Sequence, residues 1–345
     1  MLCTFYRDFP RILKKFTHQK YPISCFRYPA IPVVNFKYTG SAIYHSAARR
    51  LHNCIVRKIK EAHFDPGSKK IRKMCILFMY NGTNDPKSDY SLVLVSNRDE
   101  YYDRHTQNMA PWNEDPNVLG GRDLEVNEGG TWLAVAPRRK KLGVLLNIAG
   151  NNKPDAKSRG KIVADYVKGD RPIKTYIEQI KNYTENCNEF VFVSVEFRQG
   201  GPLISSYNNA NDELAEHKDI YVGFGNSLPE KPLKKVEAGR NKLKEIITTF
   251  NKVCMQQELV DKLIELLKWE ESHLPDHQLE KRRPNLFKEL SSVYVCIPQG
   301  RYGTRTHTIV LVTKTGHMNV IEITQESPID PLKPKWVRTE YQFDL

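Results

Sequence analysis

Short apolar segments typical of β-strands recur along the chain, and they constrain its fold more than any other feature. Eleven such segments are enriched in Val, Ile, Tyr and Phe. The predicted strands are 75–80, 91–97, 131–136, 141–148, 189–197, 202–208, 219–224, 291–298, 306–313, 317–323 and 337–343. Helical periodicity appears between groups of strands, at 157–181 and 236–271, while 229–235 and 272–285 are predicted loops. Because the helices are grouped and do not alternate with single strands, the pattern predicts an α+β fold of packed layers.

Charge divides the chain into two parts. Residues 1–73 carry 16 Lys and Arg against 3 acidic residues, whereas residues 74–345 carry 37 of each sign. The first part has no clear strand or helix period, so we interpret 1–73 as a basic extension, transit-peptide-like or disordered, and 74–345 as one folded domain. An upstream tail without a targeting role explains the same residues equally well. The neutral folded part gives no electrostatic support for a nucleic-acid partner.

The seven cysteines are irregularly spaced and contain no CxxC pair. An odd, unpatterned set is typical of reduced thiols, which places the protein in the cytoplasm or the mitochondrion and predicts neither a disulfide framework nor a metal site. The apolar runs are too short to span a bilayer, which leaves at most a transient membrane contact.

Met74-Cys75 opens the first predicted strand and raises the possibility of an N-terminal nucleophile. In such hydrolases the first residue of a strand attacks the substrate and its own α-amine is the general base, because that amine titrates near pH 8. Cys75 meets the first requirement once Met74 is absent. A cysteine in an apolar strand is, however, most often a small buried hydrophobe.

The quartet Asn97-Arg98-Asp99-Glu100 ends the second predicted strand, where a hairpin would place it beside Cys75. Arg98 is suited to bind an anionic group or to lower the pKa of the thiol, and Asp99 to orient Arg98 or the amine. The alternative is that four polar residues at a strand end form a simple turn.

Three later residues complete the set of candidates. Asn147 and Asn226 follow predicted strands, and Arg305 precedes another, so they supply the donors that an acyl-transfer site requires. His105 and His307 lie near these motifs and are possible haem ligands, although such histidines more often make structural hydrogen bonds.

Seven segments together resemble a known family. They are MCILF, SNRDEYY, EGGTWLAV, LLNIAG, GNSLPEKPLKK, GTRTHTIVLV and the closing Tyr/Phe-rich strand. Residues 74–345 are similar to the transport and Golgi organisation 2 family, named also for its Asn-Arg-Asp-Glu motif. The resemblance implies a role in Golgi organisation and protein secretion, handling of acyl-CoA, lipid or haem as cargo, and the Golgi as a further location.

The family resemblance also implies a fold and a site. The expected fold is similar to the four-layer αββα sandwich of N-terminal-nucleophile hydrolases, particularly the bile-acid and penicillin-V amidases. By that similarity Cys75 is the nucleophile, Arg98 and Asp99 support it, and the residues for the oxyanion, the amine and the late cation are Asn147, Asn226 and Arg305. In the amidases two residues separate the Arg from the Asp, whereas here they are adjacent.

Two functions follow. In the first, the chain binds a small hydrophobic ligand that carries an anionic group, held by Arg98 and Arg305. In the second, Cys75 is the nucleophile of an amidase or thioesterase, which requires a free amine at Cys75. The first is ranked ahead because it does not depend on the removal of Met74.

Overall fold

The computed structural model describes residues 74–125, 129–148 and 153–345. The predicted basic extension, residues 1–73, lies outside the described residues.

Fourteen strands form two antiparallel sheets in the described part of the chain. In chain order they are β1 (Cys75–Asn81), β2 (Tyr90–Tyr101), β3 (Thr106–Trp112), β4 (Asp115–Asp123), β5 (Leu133–Ala136), β6 (Lys141–Asn147), β7 (Phe190–Arg198), β8 (Gly201–Asn208), β9 (Glu213–His217), β10 (Tyr221–Phe224), β11 (Cys296–Ile297), β12 (Tyr302–Thr313), β13 (His317–Gln325) and β14 (Trp336–Asp344). The first sheet has the order β10-β1-β2-β12-β13-β14, with β11 paired to β12. The second sheet has the order β3-β4-β5-β6-β7-β8-β9.

Six α-helices accompany the sheets in this part of the chain. They are α1 (Gly160–Lys168), α2 (Ile173–Thr184), α3 (Lys234–Thr249), α4 (Gln256–Leu267), α5 (His277–Arg282) and α6 (Phe287–Leu290). None of the helices described is both long and apolar enough to cross a membrane.

Side chains of successive strand residues point to opposite faces, so each sheet has buried apolar residues on both faces. In β1, Leu77 and Met79 belong to an apolar cluster that also contains Val144 and Val193 of the second sheet, so this cluster fills the space between the sheets. The other face of β1 packs against α3 and α4, and the second sheet packs its other face against α1 and α2. The layers are therefore helices, sheet, sheet and helices, and the expectation of packed α+β layers is confirmed.

The predictions failed where strands are polar or where an apolar run is irregular. β3, β4 and β9 were missed because they carry too few β-branched residues in alternation to give a signal. The predicted strand 291–298 is paired only over Cys296–Ile297. The predicted loop 272–285 contains α5, whose first turn is stabilised by Asp276, since its Oδ1 accepts a hydrogen bond from the Leu279 backbone N–H at 3.0 Å.

Candidate functional site

The β1–β2 hairpin brings the Asn-Arg-Asp-Glu quartet beside Cys75, as the sequence predicts. Cys75 pairs with Arg98 across the two strands, and Ile76 pairs with Asn97. The quartet is not a turn, because all four residues lie within β2 and are buried. Since side chains alternate, Arg98 shares the inter-sheet face with Cys75, while Asn97 and Asp99 point towards the helices.

Asn226 holds the backbone nitrogen of Cys75. The Cys75 N–H donates to Oδ1 of Asn226 at 2.7 Å, and Nδ2 of Asn226 donates to the Asn147 carbonyl oxygen at 2.6 Å. These two hydrogen bonds therefore connect both predicted asparagines to the start of β1. Asn226 acts through its side chain, whereas Asn147 takes part in this bridge through its backbone.

Met74 is part of the folded structure. It is buried, its N–H donates to the Tyr302 hydroxyl at 2.6 Å, and its carbonyl oxygen accepts from the Asp99 N–H at 3.0 Å. The nitrogen of Cys75 is consequently a peptide amide in this chain, and an amide is not a base near neutral pH.

The Cys75 thiol lies at the base of the cleft and is protonated near neutral pH. Burial, followed by the negative charge of Asp99, raises its pKa to about 12, against the smaller effects of the Asp99 backbone N–H and the Arg98 charge. A thiol with so high a pKa is a weak nucleophile.

Asp99 is buried on β2, next to Arg98 in the sequence. Its Oδ1 accepts from the Thr304 hydroxyl at 2.7 Å, and its Oδ2 is buried without a hydrogen-bond partner. Burial raises the pKa of this carboxyl to about 7, although the nearby ammonium of Lys235 lowers it. Lys235 is itself 1% exposed and its Nζ donates to the Ser292 carbonyl oxygen at 3.1 Å.

Sequence reasoning missed Lys235 because it lies in a segment predicted as a loop. A signal was present: Lys235 is four residues before Gly239 and eight before Leu243, both on the buried face of α3. A lysine in register with a buried helical face is the pattern that identifies it.

A cleft of about 290 Å³ opens above Cys75 between the two sheets. Its lining residues are Cys75, Arg98, Asp99, Glu100, Arg104, Asp123, Thr131, Trp132, Leu145, Asn147, Ala156, Lys157, Ser158, Arg159, Gly160 and Asn188. Four of these residues are basic and three are acidic, so the lining of the cleft is rich in charged groups and its net charge is close to zero.

The charged side chains form a row along one wall of the cleft. The Arg98 guanidinium lies 4.0 Å from the ring centroid of Trp132, and its Nη2 is 3.6 Å from Oε2 of Glu100. Glu100 also lies 3.3 Å from Nε of Arg104, which forms a two-nitrogen contact with Asp123. Arg98 is thus held by an aromatic face and by a carboxylate that lies beyond hydrogen-bond distance.

Two glycines close the opposite wall. The backbone N–H of Thr131 donates to the Gly160 carbonyl oxygen at 3.2 Å. A Cβ atom added to Gly160 would lie 2.8 Å from the Gly130 Cα atom, so only glycine permits this backbone approach.

Comparison with known proteins identifies the family. A sequence profile of the family described as Transport and Golgi organisation 2 matches residues 74–327. The chain belongs to the Transport and Golgi organisation 2 family. The "Transport and Golgi organization protein 2" of Drosophila melanogaster is 36% identical over 282 residues, which cover 79% of this chain and 99% of the fly protein. The resemblance inferred from the seven motifs is therefore confirmed.

Mammalian relatives give the same assignment. The "Transport and Golgi organization 2 homolog" of Mus musculus is 30% identical over 279 residues, and the "Transport and Golgi organization protein 2 homolog" of Homo sapiens is 29% identical over 279 residues. Each match covers 79% of this chain and 99% of the relative.

In this member of the Transport and Golgi organisation 2 family, Arg305 does not line the cleft. It lies at a β-bulge of β12, and its Nη1 donates to the carbonyl oxygens of Tyr101 at 2.9 Å and Arg104 at 2.7 Å. Burial, followed by the positive charge of Arg98, lowers its pKa to about 10. Arg305 thereby holds the turn that follows β2, and it is not among the residues that line the cleft.

Asn97 and His307 stabilise the helical side of the site. Nδ2 of Asn97 donates to the carbonyl oxygens of Leu267 and Val293, so its Oδ1 must accept from Nδ1–H of His307 at 2.6 Å. His307 stacks on Trp336, and burial lowers its pKa to about 3. His307 is not among the lining residues of the cleft, and His105 is exposed in the turn after β2.

Proposed function

We propose that this chain supports Golgi organisation and protein secretion by binding a hydrophobic metabolite through its anionic end in the cleft above Cys75. Membership of the Transport and Golgi organisation 2 family supports the cellular role. The observation that carries the molecular role is the position of Arg98, which is 5% exposed and stands beside the Cys75 thiol on the cleft wall. Acyl-CoA, an anionic lipid and haem all present phosphate or carboxylate groups of the required charge.

The other cations of the cleft support this proposal. Arg104 is largely neutralised by Asp123, but Lys157 is exposed at the rim, with its Nζ 5.2 Å from the ring centroid of Tyr183 and no carboxylate beside it within the described residues. A ligand anion would therefore meet Lys157 first and Arg98 deeper in the cleft. A bound anion would also compete with Glu100 for Arg98, since that pair is 3.6 Å apart.

Few of the residues that line the cleft have wholly apolar side chains. They are Leu145 and Ala156, to which Trp132 adds a largely apolar ring. The volume of about 290 Å³ lies at the lower end of the range for ligand sites, roughly 300 to 1,000 Å³. The cleft thus suits the charged end of a ligand and its first carbons. The remainder of a long acyl chain or of a haem ring would extend from the mouth.

Binding is ranked ahead of hydrolysis because it does not depend on the removal of Met74. In a chain that retains Met74 the Cys75 nitrogen is a peptide amide and the thiol is protonated, so that form has neither the base nor the thiolate that amide or thioester cleavage requires.

The test is a binding titration of the full chain with palmitoyl-CoA, coenzyme A and haem, followed by calorimetry. We expect Arg98→Met to weaken binding of the preferred ligand by about tenfold or more, the value of one charge-assisted hydrogen bond. Arg240→Met, which removes an exposed arginine of α3, is the matched control and should leave affinity unchanged. The absence of binding to all three ligands, or equal affinities of the two variants, would reject the proposal.

A second candidate function is an amidase or thioesterase with Cys75 as nucleophile, on a fold of the N-terminal-nucleophile hydrolase type. The bond from the Cys75 N–H to Asn226 favours it, because the same amide oxygen would orient a free α-amine. In that reaction the α-amine takes the thiol proton, the sulfur attacks the carbonyl carbon, the proton passes to the leaving amine or thiol, and water releases the acid.

The decisive measurement is the N-terminal residue of the protein isolated from its native cells. A chain that begins at Cys75 should hydrolyse members of a panel of acyl thioesters and amides, and Cys75→Ala should abolish turnover. Retention of Met74, or inactivity of a Cys75-first chain, removes this candidate.

A further inference from the structure

β14 is an open edge of the first sheet. It ends the strand order, and within the described residues it pairs with β13 alone. Its nine residues, Trp336–Asp344, contain no proline or glycine and pair with β13 without a register shift. The other three sheet edges are less suited to pairing, since β10 and β9 have four and five residues and β3 contains Pro111 and two register shifts. β14 is therefore the edge to which a further strand is added most readily.

The free edge of β14 presents the backbone groups of alternate residues. Before the strand, the Glu326 N–H donates to the Lys335 carbonyl oxygen at 2.8 Å. After it, the Leu345 N–H donates to the Gly316 carbonyl oxygen at 3.0 Å. Since an antiparallel ladder alternates between residues that bond to the partner strand and residues that face away from it, these two bonds fix the order in between. The N–H and C=O groups that face the open edge are those of the even-numbered residues, Trp336, Arg338, Glu340, Gln342 and Asp344.

The side chains of β14 alternate in charge and leave apolar surface in contact with solvent. On one face, Arg338 and Glu340 are 39% and 35% exposed, and Nη2 of Arg338 lies 3.0 Å from Oε2 of Glu340. On the other face, Val337 is 40% exposed and Tyr341 is partly buried. A row of like charges would repel a second strand, whereas opposite charges two residues apart are complementary to the same strand in the reverse direction.

Charge selects the register in which two copies of β14 can pair. With Thr339 opposite its own counterpart, Arg338 of each copy lies opposite Glu340 of the other, and Val337 lies opposite Tyr341. A register centred on Glu340 would place two carboxylates opposite each other, and one centred on Arg338 would do the same with two guanidinium groups. Only the register centred on Thr339 gives both charged residues an opposite charge.

We propose that two copies of this chain associate through β14, antiparallel, with Thr339 on the twofold axis. The outward N–H and C=O groups of Arg338 exchange hydrogen bonds with those of Glu340 in the other copy, and the first sheet continues from β10 of one copy to β10 of the other. None of these residues lines the cleft, so the surface is separate from both candidate functions.

The proposed contact is small. A single pair of strands buries less than the roughly 800 Å² per partner of a standard interface, so we expect a reversible dimer with a dissociation constant of roughly 1 to 100 µM. Because the charge pairs lie at the surface, added salt should weaken the dimer.

The test is sedimentation velocity of the full chain between about 1 and 200 µM, a range that brackets the expected dissociation constant. The wild-type mass should rise with concentration towards that of two chains. Arg338→Glu places two carboxylates opposite each other, and Glu340→Arg places two guanidinium groups opposite each other, so each variant should stay monomeric. An equal mixture of the two variants restores opposite charges at every position and should form a heterodimer. Arg240→Glu and Glu245→Arg, charge reversals at exposed positions of α3, are the matched controls and should dimerise like the wild type.

A further variant tests the register without disturbing a buried contact. A register centred on Tyr341 would place Arg338 opposite Asp344 and Glu340 opposite an uncharged residue, Gln342. Asp344→Lys, at a side chain that is 90% exposed, should therefore leave the dimer intact. This variant also decides the register if Glu340→Arg fails to fold, since Glu340 accepts a hydrogen bond from Nδ2 of the buried Asn319 at 2.7 Å.

Three results would overturn the proposal. The first is a wild-type chain that stays monomeric throughout the range, as it would if another segment covered β14. The second is a dimer that persists in Arg338→Glu or in folded Glu340→Arg, or a mixture of these variants that stays monomeric. The third is loss of the dimer in Asp344→Lys. Sedimentation needs neither ligand nor turnover, so these results are independent of the binding and hydrolysis assays.

Discussion

Glu322 links the two sheets, and its substitution by glutamine should change how stability depends on pH. Glu322 is 1% exposed on β13, and its Oε1 accepts from the Met109 backbone N–H of β3 at 2.7 Å. Its Oε2 is buried without a partner. Glu322→Gln keeps an acceptor for Met109 and removes the titrating group.

The magnitude follows from the pKa of the folded state. Burial raises the pKa of Glu322 from 4.5 to about 7, against the Met109 N–H and the Arg98 charge. Since the folded pKa is above the unfolded one, this group's contribution to stability is fully present below pH 4.5 and is lost as the pH rises through 7. At about 1.4 kcal/mol per pH unit, the loss across this window is roughly 3 kcal/mol.

Urea unfolding at pH 5, 6, 7 and 8 measures this loss. The stability of Glu322→Gln relative to wild type should increase by roughly 2 to 3 kcal/mol between pH 5 and pH 8, because other titrating groups are common to both proteins and cancel. Glu326→Gln, at an exposed position one residue beyond β13, should show a flat difference. A difference between Glu322→Gln and wild type that does not vary with pH would refute the reasoning.

Three further predictions concern the packing around the site and are all measurable by urea unfolding. Gly239→Ala places a Cβ atom 2.1 Å from the ring of Phe78 and should destabilise the fold by about 1 to 3 kcal/mol through overpacking; an unchanged midpoint would show that α3 can move away. Asn97→Leu removes a donor to two carbonyls and the partner of His307, and should cost about 2 to 4 kcal/mol, whereas a cost below 1 kcal/mol would mean that water replaces it. Arg305→Met removes two hydrogen bonds to the carbonyl oxygens of Tyr101 and Arg104 and should cost about 2 to 4 kcal/mol without changing ligand affinity. A loss of affinity at unchanged stability would mean that Arg305 contacts the ligand.

Much of the site was predictable from local rules. Strand pairing and short connections place the end of β2 beside the start of β1, so the proximity of Arg98 to Cys75 follows from two apolar segments and the turn between them. The side chains of the adjacent Arg98 and Asp99 lie on opposite faces of β2, because neighbouring residues of a strand alternate. That rule identifies Asp99 as the residue directed to the helices.

Two features were beyond such rules. The bulge at Arg305 adds one residue to β12 relative to β2, and a single inserted residue reverses the face of every side chain before it, which no local pattern specifies. The burial of Lys235 depends on the packing of α3 on β1, a tertiary contact between segments more than a hundred residues apart. Both features depend on long-range packing, and the polar strands β3, β4 and β9 depend on it as well.

The close backbone contact between Gly130 and Gly160 offers a way to change the shape of the cleft without changing its charges. It joins the start of α1 to the hairpin wall through backbone atoms alone, with no side chain between them. A methyl group added at Gly160 would push the start of α1 away from Gly130 and so change the shape of this wall, while every charged side chain around Cys75 is kept. The affinities of thick and thin ligands should then respond differently to this substitution. Substitution of Arg98 or Lys157 tests only the dependence of affinity on ligand charge.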